Sequence, residues 1–93
     1  MLYILNKPSG ESIRQLAVIG ADDDEKSVLF IADAVFLATE GAIRQFEGLG
    51  VDSFYAAEDA VEARVVRPDA RVELADYDDM AELLEEADKT VML

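Results

Sequence analysis

The sequence predicts an α/β fold: a single domain, residues 1–93, built on an open, mostly parallel sheet of about five short strands with helices on both faces. Three observations predict it. Short apolar runs alternate along the chain with segments of helical periodicity, in the order strand, helix, strand, helix, strand, helix, strand, helix, strand. The run Ser27-Val28-Leu29-Phe30-Ile31 is continuously apolar after its serine, as in strands covered on both faces. A length of 93 residues closes one hydrophobic core but not two.

Leu2–Leu5 is apolar and too short for a helix, and Asn6-Lys7-Pro8-Ser9-Gly10 ends it, so it reads as the first strand. Ser9 is a plausible N-cap for a first helix over residues 10–19, because Ile13, Leu16, Ala17 and Gly20 share one helical face. Gly20 then serves as its C-cap. The acidic turn Ala21–Lys26 leads into the second strand, Ser27–Ile31. Asp33 interrupts that apolar run. The segment after it carries Val35, Phe36, Ile43 and Phe46, and reads as one short helix, or two broken at Gly41, ending near Gly48.

Val51–Ala57 is the third strand. Glu58-Asp59 opens a helical turn carrying Val61 and Val65, since acidic residues suit a helix N-terminus, and Arg67-Pro68-Asp69 breaks the chain. Val72–Leu74 is a brief fourth strand. Among the acidic residues that follow, Asp78 is the best N-cap candidate for a last helix in which Met80, Leu83, Leu84 and Ala87 repeat at helical spacing. Thr90–Leu93 reads as an added strand.

Composition narrows the function. Zero cysteines exclude a disulfide framework, a thiolate nucleophile, a persulfide carrier and a cysteine-ligated metal. Zero histidines remove the usual near-neutral proton shuttle and the commonest transition-metal ligand. Against eight Lys and Arg stand 21 Asp and Glu, a net charge of −13 that repels a phosphate backbone and argues against direct nucleic-acid binding. That charge suits solubility, a salt-rich cytoplasm or a basic partner surface. No apolar run is long enough to span a membrane, and Leu2–Leu5 lacks the basic start of a signal peptide, which places the protein in the cytoplasm.

In open parallel sheets a ligand crevice lies beyond the carboxyl ends of the strands. The candidates there are Asp33, Glu58, Asp59, Asp76, Tyr77 and Asp78. Paired carboxylates of this kind can divide acid and base roles or hold a hard cation, yet those that precede helices also have a capping role. No residue is assigned a catalytic, cofactor-binding or metal-binding role, and no cofactor is expected. Gly48-Leu49-Gly50 precedes a strand instead of opening a helix, which excludes a dinucleotide fingerprint. The serines have no histidine to activate them.

Four segments carry a resemblance over almost the whole chain: Met1–Lys7, Val28–Val35, Phe54–Asp59 and the weaker Val72–Asp78. In this order and spacing they resemble the DsrH/TusB family of sulfur-relay proteins. The resemblance implies a DsrE-like fold and a heteromeric complex with DsrE-like and DsrF-like subunits. Such a complex passes persulfide sulfur along a relay for tRNA 2-thiouridine formation or for sulfur oxidation. Some DsrH proteins carry a cysteine near the first helix, which this chain lacks, so the implied role is a non-catalytic subunit or scaffold. Asp33 and Asp76-Tyr77-Asp78 are family-matching positions suited to a subunit contact or to local structure. The alternative is a stand-alone, homo-oligomeric binding module whose acidic crevice holds a cation or small basic ligand.

Overall fold

In the computed structural model, which describes residues 1–93, five strands form one wholly parallel sheet in the order β4-β3-β2-β1-β5. The strands are β1 (Leu2–Leu5), β2 (Lys26–Phe30), β3 (Val51–Ala57), β4 (Val72–Ala75) and β5 (Thr90–Met92). Between them lie α1 (Glu11–Ile19), a 3₁₀ helix (Ala32–Leu37), α2 (Glu40–Gly48), α3 (Glu58–Arg64) and α4 (Tyr77–Glu86).

Strand order follows from crossover handedness. The steps β1 to β2 to β3 to β4 all run in one direction across the sheet, so right-handed connections put α1, α2 and α3 on the same face. The last connection returns to the free edge of β1, pairing Leu2 with Thr90 and Ile4 with Met92, and this reversal puts α4 on the opposite face.

Alternation of side chains along the strands splits the apolar residues between those faces. Tyr3, Leu5, Val28, Phe30, Phe54 and Ala56 join Leu16, Ile43, Phe46 and Val61 of the three helices in a core of 17 buried residues. Leu2, Ile4 and Leu29 form a second cluster of only three, roofed by Met80 and Leu83 of α4 and by Ala87 just beyond it. The first face therefore dominates the fold. Phe46 is its centre, with ring centroids 5.8 Å from Phe30 and 6.5 Å from Phe54, the tilted geometries aromatic quadrupoles prefer.

The expected elements are present, with several shifts. Gly10, not Ser9, is the N-cap of α1, although the Ser9 hydroxyl still accepts the Glu11 N–H at 3.2 Å. The buried side of α1 is Ser12, Leu16 and Gly20, while Ala17 faces solvent, so its inner face is rotated from the expected one. Gly20 is the C-cap, and a side chain there would meet the Tyr3 hydroxyl at 2.9 Å. β2 begins at the buried Lys26 and stops before Ile31, whose N–H still donates to the Leu5 carbonyl. The helical segment after β2 divides at Ala38–Thr39 rather than at Gly41. α3 ends before Val65, which adopts a left-handed conformation (φ 52°) with 85% of its surface exposed, instead of packing beside Val61.

Asp76, not Asp78, caps α4. Its carboxylate accepts the Asp79 N–H at 2.8 Å, and the Asp79 carboxylate accepts the Asp76 N–H at 3.1 Å, a reciprocal capping box. A box needs an acceptor three residues after the cap. Asp76 has Asp79 in that place, whereas Asp78 has Ala81.

Candidate functional site

At the carboxyl ends of β3 and β4 the chain turns directly into α3 and α4, and their first turns face one another across a cleft of about 260 Å³. Glu58, Asp59, Glu62, Asp76, Tyr77 and Met80 line it. Four of the expected residues, Glu58, Asp59, Asp76 and Tyr77, are thus brought together.

Their chemistry is partly committed to structure. The Asp59 carboxylate accepts the Ala60 N–H at 2.8 Å and the Tyr77 hydroxyl at 3.1 Å. That hydrogen bond, followed by the negative charge itself, raises the Tyr77 pKa above its ordinary value, so the phenol stays protonated and donating at neutral pH. Asp76 is engaged in the capping box. Glu58 and Glu62 have no hydrogen-bond or ion-pair partner, and no cation of the chain enters the cleft. Nowhere do three carboxylates come close enough together to hold a metal ion. The cleft is an acidic recess with a tyrosine hydroxyl at its wall and Met80 as an apolar contact.

Asp33 and Asp78 lie outside it. Asp78 is exposed on the first turn of α4, and capping by Asp76 leaves it without a local partner. Asp33 sits on the 3₁₀ helix and accepts a hydrogen bond from Arg64 Nε at 2.8 Å, forming an ion pair between the 3₁₀ helix and α3. The guanidinium also donates to the Ala60 carbonyl at 3.3 Å, fixing its direction. Ala32, immediately before Asp33, has φ 50° and so holds this turn in a left-handed conformation that side-chain-bearing residues rarely adopt.

Strand order reverses at β1, between β2 on one side and β5 on the other, so the topological switch point lies at the carboxyl ends of β1 and β5. A second cleft, of about 340 Å³, opens there, with Asn6, Lys7, Ser12, Gln15 and Met92 among its walls. The candidates at β2 to β4 are therefore displaced from the crevice the topology favours. Arg64 and the switch-point residues were not singled out by sequence reasoning. The signal available for Arg64 was a lone arginine in the last turn of a predicted helix, which gives no indication of a partner 31 positions away.

No family model matches the chain, and no curated protein matches it significantly. Among solved structures, the crystal structure of the YchN protein from E. coli superposes with a TM-score of 0.74 at 15% identity, covering 99% of this chain and 97% of that one. At that identity the similarity shows the fold alone: an α/β domain with a five-stranded parallel sheet. No helix is long and apolar enough to cross a membrane.

Proposed function

We propose that this chain is a non-catalytic, DsrH/TusB-like subunit of a cytoplasmic sulfur-relay complex. Within it the chain scaffolds or regulates DsrE-like and DsrF-like partners that carry the persulfide, for tRNA thiolation or sulfur oxidation. The observation that carries this reading is a whole-chain DsrE-like fold that contains no cysteine. A relay needs a thiolate at each transfer point, so a chain of this fold without one contributes shape and charge while its partners contribute the reactive sulfur.

Co-expression with a cysteine-bearing DsrE-like subunit tests this. The two chains should co-purify and stay together at micromolar concentration. A chain indifferent to every such partner overturns the assembly role, and turnover of a sulfur donor by the purified chain alone overturns the non-catalytic one.

One observation favours a second reading. The recess between α3 and α4 contains unpaired Glu58 and Glu62 with no internal cation, which suits a small organic cation better than a metal. Titration with a diamine should then raise the melting temperature by mass action, and a flat response at millimolar ligand removes this option.

A further inference from the structure

The two faces of this sheet are unequally covered. The face with the larger core lies beneath α1, α2, α3 and the 3₁₀ helix, whereas α4 alone crosses the other, and no residue of α4 is buried. Parallel sheets are almost always covered on both faces. Five strands span about 19 Å from β4 to β5, and one helix, about 10 Å across, covers roughly half of that width. Met80 and Leu83 seat α4 over Leu2, Ile4 and Leu29 of β1 and β2, so β3 and β4 are left open on this face.

A trough follows the open strands. One cleft, of about 260 Å³, lies between α4 and the strands β3 and β4. A second, of about 350 Å³, continues it toward Met1 and Glu25, and the two share Tyr55, Leu83 and Glu86. Tyr55 and Glu73 are register partners on β3 and β4, so they project together from the sheet. Opposite them, Asp79, Glu82, Leu83 and Glu86 fall at i, i+3, i+4 and i+7, one face of α4. Tyr55 and Leu83 thus form an aromatic and apolar floor between walls of carboxylate. No Lys or Arg lines either cleft, and no ion pair of the chain includes Glu73, Glu82 or Glu86.

We propose that this trough receives a basic amphipathic helix of a different protein, laid beside α4 as the second helix of the layer. Its apolar stripe lies on Tyr55 and Leu83, and its flanking Lys and Arg meet Glu73 of the sheet and Glu82 and Glu86 of α4. Charge selects the occupant, because an acidic helix, a second α4 included, would set carboxylate against carboxylate. Width selects a helix: β3 and β4 extend the sheet about 10 Å beyond β2, the distance at which two helices pack side by side. The contact rests on reading the chain as an assembly subunit, and adds to that reading a surface and the chemistry of what binds there.

The probe is a designed peptide of about 18 residues with leucine at helical spacing and lysine elsewhere, set against a scrambled peptide of the same composition without that period. Fluorescence anisotropy at about 0.15 M salt should find the periodic peptide bound with a dissociation constant below about 100 µM. Glu73→Gln, Glu82→Gln and Glu86→Gln together should weaken binding at least about tenfold. A control chain with Asp22→Asn, Glu62→Gln and Asp78→Asn loses the same charge outside the trough and should weaken it less than about threefold. All six side chains are exposed, and thermal melts confirm that both variants keep the fold.

The proposal is overturned by a periodic peptide that does not bind at about 100 µM, by a scrambled peptide that binds as tightly, or by a control chain that loses as much affinity as the trough variant. Trough substitutions that change the mass of the chain alone in sedimentation velocity also overturn it, because the occupant is then a second copy. Capture of a DsrE-like partner in any of those cases leaves the proposed function standing while this contact fails.

Discussion

Replacing Val65 by glycine should stabilise the isolated fold, although it deletes a large apolar side chain. Val65 sits just beyond the last turn of α3 with φ 52°, the position where helices commonly end on glycine, and a β-branched residue is a poor occupant of it. The left-handed conformation costs a side-chain-bearing residue about 1–2 kcal/mol, which Val65→Gly removes. Against this stand two losses. The side chain is 85% exposed, so the burial forfeited is a small part of the roughly 2 kcal/mol a fully buried valine contributes, about 0.3 kcal/mol. Glycine also gains freedom in the unfolded chain, worth about 0.4–1 kcal/mol. The balance is a stabilisation of about 0.5 kcal/mol, or roughly 2–4 °C in melting temperature for a domain of this size.

Differential scanning calorimetry at fixed protein concentration is the assay. Val65→Ala should gain less, because alanine keeps most of the strain. A melting temperature lowered by several degrees in Val65→Gly would refute the reasoning, since it would mean that Val65 packs against something or does not hold the left-handed conformation.

Other outcomes follow from local geometry. Asp76→Ala should destabilise the protein by about 1 kcal/mol, the usual worth of an N-cap acceptor, and lower the helical signal in circular dichroism. Asp78→Ala should change stability little, because Asp78 caps nothing. Asp69 accepts hydrogen bonds from the Arg71 side chain and from its backbone N–H, and these hold its carboxyl at about 2, below the ordinary 3.8. A folded-state pKa below the unfolded value contributes stability above about pH 4 that is lost as pH falls toward about 2. Carboxyl NMR should find the Asp69 midpoint near 2, and Arg71→Gln should raise it toward 3.8; no movement would show that the pair does not form.

Much of the fold is legible in local sequence. Val51–Ala57 was bounded at both ends, and Leu2–Leu5 at both ends, because an apolar run stopped by turn residues has few other uses. The first and last helices were located to within a few residues by their period. Caps were harder to place. Asp76 and Asp78 are the same residue type two positions apart, and the choice between them depends on where backbone N–H groups point once β4 has ended. The cleft was only half legible: Glu58, Asp59, Asp76 and Tyr77 converge because β3 and β4 are neighbours, whereas Asp33 is drawn aside by Arg64.

What the sequence alone determined was the α/β class, the number of strands and the absence of thiol and imidazole chemistry, since periodicity and composition are properties of neighbouring residues and of counts. Only the tertiary structure decided the strand order, the place where that order reverses, and the ion pair between Asp33 and Arg64. The reversal depends on which edge of the sheet the last crossover reaches, and the ion pair on α3 lying beside the 3₁₀ helix; both are set by handedness and packing between segments far apart in the chain.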